Sequence, residues 1–165
     1  MDFGTQAERE IQHEQEAMMD VLLIKPGMYP QPIKIGCELE DMQAAVGGDI
    51  EAVYPFDDPV ALVMHDEGKI MGKELNRTLR DDEGQPYDIV AGDMLVVGLG
   101  EEDFDSLSPE LMEKYEKHFH QPEMFVKMGR SIMALPLPDD KVRKPDDLMK
   151  SDVAPHKSNP DRDVL

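Results

Sequence analysis

Apolar residues fall along this chain in short runs, and the spacing within each run predicts the element it forms. Val21-Leu22-Leu23-Ile24 is unbroken, flanked by Asp20 and Lys25 and halted by Pro26-Gly27, which predicts a buried strand over 20–25. Ile33, Ile35 and Cys37 alternate with Lys34 and Gly36, the signature of a half-buried strand, and Pro30 and Pro32 hold its start to an edge or a loop. Leu39, Met42, Ala45 and Val46 recur at helical spacing ahead of Gly47-Gly48, a left-handed stop. Residues 49–54 alternate again, Pro55 to Pro59 make a turn, and Val60-Ala61-Leu62-Val63-Met64 is continuously apolar.

Asp66-Glu67-Gly68 then predicts a hairpin turn, with Gly68 at positive φ and Lys69-Ile70-Met71 opening the returning strand. Glu74 to Arg80 predicts one or two helical turns. Tyr87 to Val90 predicts a short strand, Ala91-Gly92-Asp93 a turn, and Met94 to Leu99 the clearest buried strand of the chain. Ser108 as N-cap, Pro109 at the first helical position and a Leu107–Met112 staple predict a helix from Pro109 to about His120, ended by Gln121-Pro122.

The two ends of the chain read differently. Gln6 to Met19 is rich in Glu and Gln, with Ile11 and Met18-Met19 as its apolar anchors, and predicts a polar helix. Beyond Arg130, prolines recur among mixed charges, which predicts a disordered tail whose apolar patch, Ile132 to Leu135, can dock as an edge strand or clasp. On that reading, truncation after Pro138 leaves the thermal midpoint nearly unchanged. The expected fold class is α+β: a small, mostly antiparallel sheet with two or three packed helices. Its organisation is a polar helix over 1–19, a core domain over 20–130 and a Pro-rich tail over 131–165.

Composition changes this picture little. The 165 residues include 13 Met and no Trp, so the core is aliphatic and adaptable. A single cysteine, Cys37, gives no internal disulfide, and no stretch reaches the roughly 20 apolar residues of a membrane span. The first residues lack the order of a signal peptide, so the expected location is the cytoplasm, with no membrane partner.

Charge changes it more. Asp and Glu number 36 against 17 Lys and Arg, for a net charge of −19. Such a surface repels nucleic acid and attracts basic partners. The acids are concentrated: nine between Gly36 and Gly68 and eleven between Asp81 and Glu113, with no Lys or Arg in either stretch. Two readings stand side by side, a solubilising surface and a phosphate-like array offered to a protein that grips nucleic acid. The array would draw on Asp57, Asp58, Asp66, Glu67, Asp81, Asp82, Glu83, Glu101, Glu102, Asp103 and Asp105.

Between the acidic stretches lie Lys69, Lys73, Asn76, Arg77 and Arg80. If 74–80 is helical, Lys73, Arg77 and Arg80 share a face, and with Asn76 they suit a nucleotide or other phosphorylated anion. The competing reading is that they neutralise nearby acids. No Gly-rich phosphate loop accompanies them. His118 and His120 point to opposite sides of a helix, and Asp103-Phe104-Asp105 lacks the rest of a calcium loop, so no metal and no other cofactor is expected. No nucleophile with a nearby base is apparent, so no catalytic residue is assigned.

The blocks Gly47-Gly48-Asp49-Ile50-Glu51-Ala52-Val53, Asp66-Glu67-Gly68-Lys69 leading to Leu75-Asn76-Arg77, and Asp88-Ile89-Val90-Ala91-Gly92-Asp93 occur in that order between Val21 and Leu99. In this the chain resembles an uncharacterised family of small bacterial proteins, the domain of unknown function numbered three-eight-four-six. The resemblance implies accessory cargo of conjugative plasmids and phages, often encoded near anti-restriction genes. The first expectation is therefore a non-enzymatic interaction protein that blocks a basic, nucleic-acid-handling host protein by carboxylate mimicry of phosphates. The alternative is a small-ligand module capturing a phosphorylated anion at Lys73, Asn76, Arg77 and Arg80. Self-association as a homo-oligomer is compatible with both.

Overall fold

The computed structural model describes residues 18–145. The polar helix expected before Asp20 and the tail beyond residue 145 lie outside them, except that Met18 and Met19 open a strand. Five strands form the main sheet: β1 (Met18–Ile24), β2 (Gln31–Gly36), β3 (Ile50–Val53), β4 (Val60–His65) and β7 (Met94–Leu99). They are antiparallel neighbours in the order β2-β1-β7-β4-β3, and the two-residue β8 (Phe104–Asp105) pairs with the end of β7. β5 (Leu75–Arg80) pairs with β6 (Pro86–Ala91), and β9 (Glu123–Met128) with β10 (Ser131–Pro136). Helices α1 (Leu39–Val46) and α2 (Pro109–His118) complete an α+β fold.

β1, β4 and β7 are apolar at nearly every position because both faces of the sheet are covered. Val21, Ala61, Val63, Leu95 and Val97 pack with Met42 and Val46 of α1. Leu22, Ile24, Val60, Leu62 and Val96 turn the other way, onto Tyr115 of α2, Phe119, and Leu79 and Val90 of the β5–β6 pair. Gly47 closes α1 at φ 88°, as its position after Val46 demanded. The Ser108 hydroxyl accepts the Leu111 N–H at 3.2 Å and caps α2, which stops at His118, two residues earlier than expected.

Three expectations are corrected. The chain does not return along β4 after Asp66-Glu67-Gly68. It turns until Gly72, which takes φ 74°, and Gly68 is instead the close-approach glycine, where a Cβ would lie 2.6 Å from the Ala91 carbonyl oxygen. Residues 74–80 are not helical. They form β5, and a bulge between Leu75 and Arg77 leaves Asn76 as the extra residue, so that Asn76 and Arg77 are both buried. That break in alternation is why the segment imitates a helix.

The expected disorder past Arg130 is also corrected for the described residues, where Ile132 to Leu135 take the edge-strand position expected as the alternative. Ser131–Pro136 is fully paired with β9, so a boundary at 130 cuts a hairpin. After a short 3₁₀ turn (Asp139–Lys141), Val142 is buried, the Arg143 N–H donates to the Gly27 carbonyl at 2.8 Å, and the Arg143 guanidinium meets Glu74 at 2.6 Å.

Candidate functional site

Strand register determines which acids meet. β1 starts where β2 ends, with Met18 opposite Gly36; β7 ends where β4 starts, with Gly98 opposite Val60; and β3 ends at that same edge. The segments 37–41, 54–59 and 100–105 therefore emerge at the same end of the sheet, the first at the β2 edge, the second at the β3 edge and the third between them, and the Leu99 N–H donates to the Pro59 carbonyl at 3.0 Å. Glu38, Glu40, Asp41, Asp57, Asp58, Glu101, Glu102, Asp103 and Asp105 gather at this end of the sheet. Leu39, Tyr54, Leu99 and Met18 are exposed at the same end.

The structure at this end is held locally. Glu38 and Asp41 form a reciprocal capping box at the start of α1. Asp103 and Asp105 accept the N–H groups of the residues that follow them, at 2.8 and 2.7 Å. Asp20 ties the segment down, its N–H donating to the Ser106 hydroxyl at 2.8 Å and its carbonyl accepting from Leu107 at 2.8 Å. Some of these acids act on Cys37: its thiol is pushed up by partial burial first, and then by the charges of Asp105, Asp41, Glu38 and Asp103.

Lys114 reaches this end from α2, meeting Asp58 at 2.6 Å, while the Tyr115 phenol donates to the same carboxylate at 2.7 Å. Those two hydrogen bonds hold the Asp58 carboxyl below its ordinary range against partial desolvation. Burial, the bond to Asp58 and the charges of Asp58 and Asp57 hold the Tyr115 phenol far above its own.

The other predicted acids lie elsewhere. Asp66 and Glu67 follow β4 at the opposite end, about 20 Å away along a six-residue strand. Asp81, Asp82 and Glu83 form the β5–β6 turn, where Asp81 accepts the N–H groups of Glu83 and Gln85, each at 2.9 Å. Of the eleven acids, six thus share one end of the sheet, joined there by Glu38, Glu40 and Asp41, and the single array of all eleven is corrected. Sequence reading did not single out those three, nor the exposed apolar residues at that end; strand order was the missing information.

The predicted anion site is not present as such. Asn76 donates to the carbonyls of Ile24 and Gly92 at 2.9 and 2.8 Å, and its own Oδ1 accepts from Arg77 at 3.0 Å. Arg77, 2% exposed, donates from Nε to the Phe119 carbonyl at 2.9 Å and from Nη2 to the Met28 carbonyl at 2.7 Å. Burial lowers its pKa to about 10, opposed by the charge of Glu123, so it stays protonated at neutral pH. Arg80 pairs with Glu123 at 3.1 Å, and Lys73 lies against Gly92 in the turn before β5. The four residues share no face that an anion can reach. Asn76 and Arg77 are instead a polar brace joining β1, the Met28 loop and the end of α2.

The histidines also separate: His118 meets Phe56 edge-on at 5.2 Å, whereas His120 stacks on Tyr29 at 4.5 Å. Among the described residues no group of three or more His, Cys, Asp or Glu is arranged to hold a metal ion, and no helix is long and apolar enough to cross a membrane. In comparison with known proteins, residues 19–120 match the family model described as Domain of unknown function (DUF3846). No curated protein and no solved structure matches the chain.

Proposed function

The chain belongs to the DUF3846 family, whose description names no activity, and on that premise we propose that it is a non-enzymatic interaction protein. Its acidic sheet end binds the basic surface of a protein that handles nucleic acid. The observation that carries this reading is that nine carboxylates from three separate segments emerge at one end of the main sheet, where Leu39, Tyr54 and Leu99 are exposed as well. A solubilising surface needs charge but no exposed large apolar groups, whereas a protein interface uses both. The charges steer encounter and select a basic partner, and the exposed apolar groups are what such a partner desolvates.

The carboxylates stand in for phosphate oxygens on the partner, so that partner is one whose own ligand is DNA or RNA. The mobile-element setting implied by the family resemblance makes a host defence protein the first to test. Capture from a host lysate, repeated at low and high salt and with added DNA, tests the reading. Expected is a basic nucleic-acid-binding protein that is retained at low salt, released as salt shortens the Debye length below about 8 Å, and displaced by DNA. No basic protein at low salt, or a partner indifferent to both salt and DNA, counts against it.

A further inference from the structure

The exposed apolar residues of this protein do not all belong to the acidic end. Six of them, Met124, Val126, Met128, Ile132, Met133 and Leu135, sit on the β9–β10 hairpin. Cross-strand partners show how they are laid out. Met128 faces Ser131, Val126 faces Met133 and Met124 faces Leu135, and such directly opposed residues lie on the same side of a sheet. One side of the hairpin therefore carries five large apolar side chains, one serine and no charge. Beside it runs a groove of about 750 Å³ between the hairpin and the β5–β6 pair, walled by Tyr87, Ile89, Ile132 and Met133.

We infer that this hairpin face is a self-association surface, covered by the same face of a second copy of the chain. Charge selects that occupant. Each copy carries a net charge of −19, so two copies approach most easily where carboxylates are absent. From Met124 to Pro136 there is no Asp or Glu, and Lys127 and Arg130 are the only charged residues. The outer edge of β10 supports the same conclusion. Among the described residues β10 pairs with β9 alone, and its run Ser131-Ile132-Met133-Ala134-Leu135 carries no charge to deter another strand.

The edges of the main sheet are protected, by contrast. β2 carries Pro32 and Lys34, and β3 is only four residues long, with Glu51 within it. A face that is apolar and uncharged is also self-complementary, as a two-fold contact requires. This surface is separate from the acidic end, so dimer formation leaves that end free.

Sedimentation velocity on the full chain over a concentration series, at low and high salt, tests the inference. The expected result is a monomer–dimer equilibrium that tightens with salt, because salt screens the repulsion between copies and leaves apolar contact intact. Met133→Lys should weaken the dimer at least about tenfold with an unchanged circular dichroism spectrum, whereas neutralising acids at the other end should not weaken it. If Met133→Lys alters the fold, Ser131→Lys places the same charge on the same face near the hairpin turn. A wild type that stays monomeric throughout overturns the inference, even if its β10 amides are slow to exchange, since other residues of the chain would then cover the face. A dimer unaffected by a folded variant overturns it equally.

Discussion

The Arg77 guanidinium donates to the main-chain carbonyl of Met28 at 2.7 Å, across 49 residues of sequence, and this bond is one of a set that locks β5 to the rest of the molecule. Removing the guanidinium strands three buried acceptors: the carbonyls of Met28 and Phe119 and the Asn76 side-chain oxygen. Arg77→Ala is therefore expected to cost about 3 kcal/mol in urea unfolding, and Arg77→Lys somewhat less, because an ammonium reaches fewer of the three. Calorimetry with nucleotides should be silent for both wild type and variant. A fully stable Arg77→Ala protein contradicts the brace.

The segment after β10 behaves as a clasp. Truncation after Pro138 removes buried Val142, the Arg143–Gly27 main-chain bond and the Arg143–Glu74 ion pair. The loss expected is about 2 kcal/mol, mostly from Val142 and the main-chain bond, since the ion pair is exposed. Thermal unfolding of the shortened chain checks this, and an unchanged midpoint would restore the boundary that composition alone suggests.

Tyr115 makes stability sensitive to alkali. Its folded pKa lies well above the ordinary 10.0, through burial first and then the bond to Asp58. The protonated phenol is thus favoured in the fold, and its contribution is complete below the unfolded value and lost as pH rises towards the folded one. Unfolding free energies measured from about pH 9 to 11.5 should fall more steeply for wild type than for Tyr115→Phe, which keeps the ring against Phe56. Parallel curves would show that the phenol does not titrate as its surroundings dictate.

Much of the fold was legible because local signals agreed with the final packing. The runs at 20–25, 60–64 and 94–99 are continuous because helices and the β5–β6 pair cover both faces of the sheet, and Ser108-Pro109 fixes the start of α2 whatever its surroundings. Two features hid the remainder. The bulge at Asn76 puts two consecutive polar residues inside, which no period of two or of 3.6 describes. The hairpin at 123–136 and the clasp after it depend on partners as distant as Gly27, Glu74 and Thr78, whose N–H donates to Glu123 at 2.7 Å. The acidic site was legible as composition but not as a place, because Glu38, Asp57 and Glu101 reach the same end of the sheet only through strand order.

The proposed function requires that the acidic sheet end, and not net charge in general, binds a basic partner. Two variants separate these ideas at equal charge: Asp57→Asn with Glu101→Gln, Glu102→Gln and Asp103→Asn, against Asp66→Asn with Glu67→Gln, Asp82→Asn and Glu83→Gln. Each removes four carboxylates that are exposed and make no ion pair with Lys114. The most direct measurement is the association rate and affinity of each, at low salt, for the basic protein that wild type captures. The account predicts that the first variant loses binding by at least about tenfold while the second stays close to wild type. Equal losses in the two, or a loss confined to the second, would contradict it.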